Sequence, residues 1–315
     1  MKKIMITGAL GQIGSELTGR LREIYGVDNV LATDIRTNES EAAKGGPFEV
    51  LDVMDSKKMA DIGKKHGADT IVHMAALLSA TAEANPVFAW NLNMGGLMNA
   101  LETARELKCQ FFTPSSIGAF GPSTPKDATP QDTIQRPTTM YGVNKVAGEL
   151  LADYYHQRFE VDTRGLRFPG LISYVAPPGG GTTDYAVEIY YEAIKNGRYT
   201  SYIGEGTYMD MMYMPDALNA IVNLMEADAS QLKHRNAFNV TAMSFAPEEI
   251  AAEIKKHIPG FEMNYDVDPI RQNIADSWPN SIDSSAAAEE WGFKANYSLA
   301  SMTTDMLEKL KVKIG

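Results

Sequence analysis

The 315-residue sequence has little cysteine, little basic charge and no long hydrophobic run. Its one cysteine, Cys109, excludes an intrachain disulfide and fits a reducing compartment. Lysine and arginine number 29 against 40 aspartates and glutamates, and the net charge of −11 argues against nucleic-acid or anionic-membrane partners, which need a basic footprint. No stretch approaches the roughly 18 consecutive apolar residues of a membrane helix, so we expect no membrane partner.

Signals for secretion and for metal binding are also missing. The first apolar run, Ile4–Ile6, ends at Thr7-Gly8 and is too short for a secretory signal peptide. The five histidines show no H-E-x-x-H or other ligand spacing, so we expect no metal site. Together these absences predict a cytoplasmic protein.

The first half of the chain alternates short apolar or β-branched runs with amphipathic stretches. The candidate strands are Ile4–Thr7, Val30–Asp34, Phe48–Leu51, Thr70–His73 and Gln110–Thr113. Strands that alternate with helices form βαβ units, which place helices on both faces of a parallel sheet. The sequence therefore predicts an α/β protein with a Rossmann-type doubly wound parallel sheet.

The second half has a different character. A Pro/Gly-rich loop around residues 176–183 precedes a mixture of helices and short extended pieces. We therefore predict a first domain over residues 1–173, which contains the parallel sheet, and a smaller lobe over residues 174–315, with residues 237–242 as a candidate return to the main sheet. The loop either closes over the substrate and excludes water or is only a connection.

Three glycines follow the first predicted strand and open the first predicted helix. Gly8, Gly11 and Gly14 let the backbone turn tightly and approach a pyrophosphate, to which a helix N-terminus offers N–H groups and a positive dipole end. The spacing is G-x-x-G-x-x-G, and a plain strand-turn-helix connection could also use two of these glycines. We predict that the loop, with Gln12 and Ile13, binds a dinucleotide. Residues 1–173 are then the cofactor-binding domain, and residues 174–315 the substrate-binding lobe.

An acidic residue indicates which dinucleotide is bound. Asp34 ends the second predicted strand, where a carboxylate accepts hydrogen bonds from the adenosine ribose and repels a 2′-phosphate, so it favours NAD over NADP. Arg36 is the opposing signal, because an arginine nearby can hold that phosphate; we give Asp34 the greater weight. Asp52 and Val53 follow the third strand and either contact the adenine or, for Asp52, cap the next helix.

A tyrosine and a lysine stand four residues apart on a predicted helix. Tyr141 and Lys145 therefore share one helix face. A free tyrosine has a pKa of about 10 and is a poor base at neutral pH, but a neighbouring ammonium favours the phenolate. Ser115 and Ser116 follow the fifth predicted strand at the sheet edge that binds ligands, where a hydroxyl can polarise a reacting oxygen or serve in a turn.

Along nearly its whole length the chain resembles the extended short-chain dehydrogenase/reductase family. The motifs that carry the resemblance are Gly8-x-x-Gly11-x-x-Gly14, His73-Met74-Ala75-Ala76, Ser115-Ser116-Ile117-Gly118-Ala119-Phe120-Gly121 and Tyr141-x-x-x-Lys145. The resemblance implies that Tyr141 is the catalytic acid/base. It implies that Lys145 holds the nicotinamide ribose and favours the phenolate of the tyrosine. It makes Ser116 the third catalytic residue, with Ser115 close by.

The resemblance also implies a cofactor channel and an oligomeric state. The expected channel residues are Ala75, Ala76, Leu171 and Ile172. Family members usually form homodimers through the helix that carries Tyr141 and a helix near Asn91–Leu107, so a homodimer is expected here.

One departure from the family bears on the substrate. Relatives of this length are often sugar-nucleotide epimerases or dehydratases, in which an arginine holds the diphosphate. Met209 stands at that position, and losing a charge-assisted contact of this kind costs roughly 1.5–3 kcal/mol. The departure disfavours a sugar nucleotide, and an NAD-dependent epimerase or dehydratase remains the alternative.

Three segments resemble instead the L-threonine 3-dehydrogenases of the short-chain type: Gly180–Ile189, Met211–Asp216 and Ser277–Asp283. This resemblance implies NAD-dependent oxidation of the 3-hydroxyl of L-threonine to 2-amino-3-oxobutyrate. A zwitterionic amino acid needs an anion for its ammonium and donors for its carboxylate. The candidate substrate contacts are Ser79, Thr182, Thr183, Asp184 and Trp278. Asp184 could instead cap the following helix, and Trp278 could pack in the core.

Overall fold

The computed structural model describes residues 1–178 and 181–314. Gly180, and with it part of the predicted loop 176–183, lies outside the described residues. Contacts within the chain define two compact units. The first comprises Met1–Ser116, Thr139–Arg167 and Leu218–Phe238, and the second Ile117–Thr138, Phe168–Ala217 and Asn239–Gly315.

The secondary-structure elements follow one another along both units. The strands are β1 (Ile4–Thr7), β2 (Val30–Asp34), β3 (Phe48–Val50), β4 (Thr70–His73), β5 (Gln110–Ser116), β6 (Thr163–Phe168), β7 (Gly170–Ile172), β8 (Arg198–Ser201), β9 (Met209–Tyr213), β10 (Phe238–Asn239), β11 (Met243–Phe245) and β12 (Glu262–Tyr265). The helices are α1 (Gln12–Tyr25), α2 (Glu41–Lys44), α3 (Ser56–His66), α4 (Ser79–Ala84), α5 (Pro86–Leu107), α6 (Met140–Phe159), α7 (Tyr185–Asn196), α8 (Met214–Glu226), α9 (Pro247–His257), α10 (Pro269–Asp276), α11 (Ser285–Trp291) and α12 (Leu299–Ile314).

The main sheet has seven strands in the order β10-β6-β5-β4-β1-β2-β3. Strand β1 pairs in parallel with both β2 and β4, so the chain winds outward from β1 in one direction and then returns to wind in the other. This is the predicted Rossmann-type doubly wound sheet, and the prediction is confirmed. The switch point between β1 and β4 opens a crevice at their carboxyl ends, where such sheets bind ligands.

Burial explains why these strands form a two-sided parallel sheet. Every residue of β1, β2, β4 and β6 is buried, as expected when helices cover both faces. One core cluster packs Met5, Leu31 and Ile71 of the sheet against Met59 of α3 and Leu101 of α5. The rigid sheet therefore holds the loops at its carboxyl edge in place.

The second unit contains two smaller sheets. In one, β9 lies between β7, to which it is parallel, and β11, to which it is antiparallel. In the other, β8 and β12 are parallel. Large apolar and aromatic side chains fill the core between these sheets and α7, among them Tyr185, Tyr190 and Tyr213.

Residues 1–178 and 181–314 contain neither a candidate membrane-spanning helix nor a candidate metal-binding cluster. No helix there is long and apolar enough to cross a bilayer. No group of three or more His, Cys, Asp or Glu side chains in that part of the chain is placed to hold a metal ion. The assignment of cofactor binding to residues 1–173 and substrate binding to residues 174–315 remains a prediction.

Candidate functional site

The glycine loop connects β1 to α1 in a conformation that side chains would block. Gly8 has a φ of +69°, and a Cβ on it would lie 2.6 Å from the backbone nitrogen of Ala75. A Cβ on Gly14 would lie 2.3 Å from the carbonyl oxygen of Gly8. These positions therefore require glycine because the backbone of the loop folds on itself and against the end of β4.

No capping or acidic side chain in the described first turn of α1 offsets the positive end of the helix dipole. Gly11 is its N-cap residue, and the described first turn, which includes Gln12 and Ile13, has neither a side-chain cap nor an acidic residue. The helix thus keeps the N–H groups of its first turn and the positive end of its dipole available to an anion. A narrow glycine loop beside such a helix end fits a pyrophosphate.

Asp34 lies at the carboxyl end of β2 and is bonded to the glycine loop. Its side chain is only 6% exposed, and Oδ2 accepts from the backbone nitrogen of Leu10 at 3.0 Å. Oδ1 accepts from the backbone nitrogen of Arg36 at 3.1 Å and from its Nε at 3.3 Å. An ionised carboxylate has about four acceptor sites, so it can still accept hydroxyl groups of a ribose.

Removing the charge of Asp34 should weaken the preference for NAD. In Asp34→Asn, Arg36 is released from its carboxylate and can hold a 2′-phosphate, so we expect the ratio of NADPH to NADH dissociation constants to fall by about tenfold or more. Fluorescence titration with NADH and NADPH measures both constants. Asp28→Asn, at an exposed acid of the same unit, is the control. An unchanged ratio in Asp34→Asn would show that this carboxylate does not select the cofactor.

The structure corrects one alternative for Asp52. The N-cap of α3 is Asp55, whose carboxylate accepts from the backbone nitrogen of Lys58 at 2.9 Å. Asp52 is exposed and lies three residues earlier, so its predicted use as a cap is wrong. Val53 beside it is buried. Their contact with an adenine remains a prediction.

His73 ends β4 at the switch point. Its ring is buried, and Nδ1 shares a 2.8 Å hydrogen bond with the Thr7 hydroxyl. Burial, and then the charge of Lys145, lower the pKa of His73 to about 3, so the ring is neutral in the working range. A cavity of about 40 Å³ lies beside it. Its walls include His73, Ala75, Ala76, Asn93, Ser115 and Lys145.

The neutral histidine makes stability depend on pH. Below pH ~6.5 His73 is protonated in the unfolded state but stays neutral in the folded state down to about pH 3. Acidification over this range therefore destabilises the fold by ~1.4 kcal/mol per pH unit. Urea unfolding of wild type and His73→Gln at pH 7 and pH 5 should therefore show a loss ~2 kcal/mol smaller in the variant. His257→Gln, at an exposed histidine, should behave as wild type. Equal losses in all three proteins would contradict the prediction.

The predicted Tyr–Lys pair lies on α6. The helix begins after Thr139, whose hydroxyl accepts from the backbone nitrogen of Gly142 at 3.1 Å. Lys145 Nζ lies 5.3 Å from the centroid of the Tyr141 ring and donates to the carbonyl of Pro114 at 2.7 Å. The ammonium therefore joins the tyrosine to the end of β5.

The two serines end β5. Ser115 is buried and its hydroxyl donates to the carboxylate of Glu149, while Ser116 is partly exposed. Glu149 is also paired with Arg167. Neither charged residue was recognised from the sequence. The available signal was the position of Glu149, which repeats the four-residue step from Tyr141 to Lys145.

Two asparagines, also missed from the sequence, hold the segment after β4. Asn93 of α5 accepts from the backbone nitrogen of Leu77 at 2.8 Å and donates to Asn144 Oδ1 of α6 at 3.0 Å. Ser79, a predicted substrate contact, is buried and begins α4. The amide pair thus positions the backbone that leads from Ala76 to that serine.

In the second unit, Thr182–Asp184 form one 3₁₀ turn before α7. The Asp184 carboxylate accepts from the backbone nitrogen of Gly181 at 2.8 Å and makes no side-chain cap for α7. A Cβ on Gly170 would lie 2.7 Å from Cγ2 of Thr183, so the turn packs closely on the strand that contains Leu171.

Two further predicted positions are apolar and buried. Trp278 packs with Ile117, Phe120 and Ile282 in a small core cluster of the second unit. Met209, at the position of the diphosphate-binding arginine, lies fully buried in β9. The packing of Trp278 agrees with the core alternative raised from the sequence, and its contact with a substrate remains a prediction.

Comparison with known proteins identifies the family. The profile of the NAD dependent epimerase/dehydratase family matches residues 4–241. The chain belongs to this family. It is an NAD-dependent enzyme of the extended short-chain dehydrogenase/reductase type, and the predictions of family and cofactor are confirmed. The glycine loop, the open helix end and Asp34 fit that cofactor.

Individual relatives match this chain over almost its whole length. A Staphylococcus haemolyticus protein named as an uncharacterized epimerase/dehydratase is 66% identical over 314 residues, 99% of each chain. The structure of L-threonine dehydrogenase from Clostridium difficile is 68% identical with a TM-score of 0.99, covering 100% of this chain and 99% of that one. A monomeric L-threonine 3-dehydrogenase from a metagenome is 40% identical with a TM-score of 0.95, covering 99% and 100%.

Proposed function

We propose that this enzyme oxidises the 3-hydroxyl of L-threonine with NAD to give 2-amino-3-oxobutyrate. The observation that carries the proposal is the full-length match to L-threonine dehydrogenases, at 68% identity and a TM-score of 0.99 for one of them. Contacts in the first unit support the proposal, because Lys145 lies 5.3 Å from the centroid of the Tyr141 ring and donates to Pro114, next to the serine pair that ends β5.

The proposed reaction removes a proton and a hydride from one carbon–oxygen group. NAD supplies the hydride acceptor when bound. The Tyr141 phenolate takes the hydroxyl proton, and the Ser116 hydroxyl donates to the same oxygen to hold it as the carbonyl forms. Lys145 stabilises the phenolate by its charge and can donate to a ribose hydroxyl.

We propose that the first unit holds the cofactor. The loop from Gly8 to Gly14 would bind the pyrophosphate and Asp34 the adenosine ribose, with Ala75 and Ala76 lining the channel; Leu171 would add an apolar contact. For the substrate, the proposed contacts are Ser79, Thr182 and Thr183 for the carboxylate, Asp184 for the ammonium, and Trp278. The Asp184 carboxylate accepts from the backbone nitrogen of Gly181 at 2.8 Å and would supply the negative charge that pairs with the ammonium.

The alternative, a sugar-nucleotide epimerase or dehydratase, is disfavoured by Met209. A fully buried thioether cannot neutralise a diphosphate. The family contains both kinds of enzyme, so the substrate test must include a sugar nucleotide.

The test is NADH formation at alkaline pH with L-threonine, followed by absorbance. L-serine, D-threonine and UDP-glucose serve as comparison substrates. NADH from L-threonine alone, with NAD and only faintly with NADP, is the expected result. A protein that binds NAD but leaves L-threonine unchanged would sink the threonine assignment, and turnover of UDP-glucose would then establish the alternative.

We also propose a homodimer, because α5 and α6 expose large apolar side chains. On α6 these are Val143, Leu150 and Tyr154, which share one face, and Leu150 is 63% exposed. On α5 they are Val87, Phe88, Trp90 and Met98. An exposed apolar patch of this kind marks an interface.

Substitution in this patch should therefore change the mass in solution. We expect wild type to sediment as a dimer and Leu150→Glu to be monomeric, because the buried charge costs more than the interface can supply. Val312→Glu, at a single apolar residue that is 88% exposed on α12, should leave the dimer intact. A wild-type monomer in analytical ultracentrifugation, as in the monomeric metagenome relative, would contradict the proposal.

We propose a cytoplasmic location. The sole cysteine, Cys109, is buried and donates to the carbonyl of Ala68 at 3.1 Å. Burial, followed by the charge of Asp69, raises the pKa of the Cys109 thiol to about 12, so it stays protonated and unreactive. A chain that needs no disulfide suits a reducing compartment.

A further inference from the structure

The end of β5 is held by α6 at two successive residues. Lys145 Nζ donates to the carbonyl of Pro114 at 2.7 Å, and the Ser115 hydroxyl donates to the carboxylate of Glu149. Lys145 and Glu149 are four residues apart, so they extend from the same helix face. The helix that carries the catalytic tyrosine thus also holds the strand that leads to Ser116.

A buried ion pair orients the carboxylate that receives Ser115. Arg167 Nε lies 3.0 Å from Glu149 Oε1, and its Nη2 lies 2.8 Å from Oε2. The side chains of Arg167 and Glu149 are 7% and 5% exposed. Two parallel bonds between planar groups define an orientation as well as an attraction. Because Arg167 belongs to β6, the neighbour of β5, three elements meet at one carboxylate.

This geometry separates the roles of the two serines. A serine hydroxyl has one proton, and that of Ser115 is donated to Glu149, so it is not available to a substrate oxygen. We propose that Ser115 is a positioning residue, which acts through Glu149 and Arg167 to hold Ser116 in line with Tyr141. This assignment rests on the proposed function for its reaction but on the described contacts for its geometry.

The first test is Ser115→Ala, which removes one hydroxyl and leaves the Glu149–Arg167 pair intact. We expect kcat with L-threonine to fall by about tenfold, since small misplacements of a reacting group are costly, while KM for L-threonine and the dissociation constant of NADH stay unchanged. Thr103→Val is the control, because Thr103 is also buried in this unit and bonds only a helix carbonyl in the described contacts. A raised KM in Ser115→Ala would overturn the proposal in favour of direct substrate contact.

The second test is a double-mutant cycle with Glu149→Gln. If the serine acts through the carboxylate, Ser115→Ala should lower kcat by less than about twofold once Glu149 is already replaced. If Ser115→Ala lowered kcat as much in the Glu149→Gln background as in the wild-type background, the proposal would be overturned. Glu149→Gln leaves the buried Arg167 without the carboxylate that it pairs with. If that variant does not fold, Ser115→Ala and the following measurement test the proposal without it.

The third test does not depend on turnover. Amide hydrogen exchange of residues 113–117, followed by mass spectrometry, should accelerate in Ser115→Ala and not in Thr103→Val, because the end of β5 loses one of its two ties to α6. Unchanged exchange would overturn the positioning role. A wild type that forms no NADH from L-threonine would refute the proposed function instead, and the exchange result would still decide this inference.

Discussion

Replacement of Tyr141 by phenylalanine should lower kcat for L-threonine by about a thousandfold and leave the affinity for NADH within about threefold of wild type. The substitution removes the phenolic oxygen that is proposed to take the substrate proton. The ring that faces Lys145 at 5.3 Å remains, and Lys145 keeps its 2.7 Å bond to Pro114. The cofactor site therefore persists while the proton acceptor is lost.

The same substitution elsewhere on α6 provides the matched control. Tyr155 is buried and donates to Glu102, so Tyr155→Phe removes a tyrosine oxygen from the same helix without touching the pair. We expect it to cost about 1 kcal/mol of stability and to retain activity. NADH formation followed by absorbance, with fluorescence titration of NADH, measures both effects. If Tyr141→Phe kept a tenth of the wild-type rate, another group would have to be the base.

Replacement of Gly14 by alanine should weaken NADH binding by about a hundredfold or more, equivalent to about 2.7 kcal/mol. The new Cβ would lie 2.3 Å from the carbonyl oxygen of Gly8 and 3.0 Å from Cα of Ala9, so the loop must move. That loop forms the closest part of the predicted pyrophosphate site. A shift there removes the close backbone approach on which binding depends.

The variant Gly19→Ala, on the same helix, is the control that distinguishes this local effect from the general effect of replacing a helical glycine by alanine. A Cβ at Gly19 meets nothing within 4 Å, so Gly19→Ala should bind NADH normally and stabilise α1 by up to about 1 kcal/mol. Fluorescence titration and urea unfolding measure the two quantities. Equal NADH affinity in Gly14→Ala and Gly19→Ala would remove the glycine loop from the cofactor site.

These two predictions distinguish two kinds of failure. Tyr141→Phe should produce an enzyme that binds cofactor and does not turn over, whereas Gly14→Ala should produce one that lacks the cofactor. Loss of cofactor binding in Tyr141→Phe as well would indicate unfolding of that variant rather than loss of a proton acceptor.

The sequence by itself determined the features that rest on local patterns. The β-branched runs of β1, β2 and β4 and the glycines after β1 specify strand, turn and helix from near neighbours, and these elements follow one another along the chain as predicted. The step from Tyr141 to Lys145 is also local, because helix periodicity alone brings residues four apart together. Family and cofactor could be predicted for this reason.

Only the tertiary structure decided which residues that are distant in the chain come into contact. Glu149 meets Ser115 across 34 residues of chain, and Asn93 meets Asn144 across 51, so no local pattern marks either pair. The sequence also could not decide which of two nearby aspartates caps α3. In the structure Asp55 is the cap, and Asp52 is not. Each outcome depends on which hydrogen-bond partner packing brings within reach, and for the buried pairs Ser115–Glu149 and Asn93–Asn144 burial then makes that one partner obligatory.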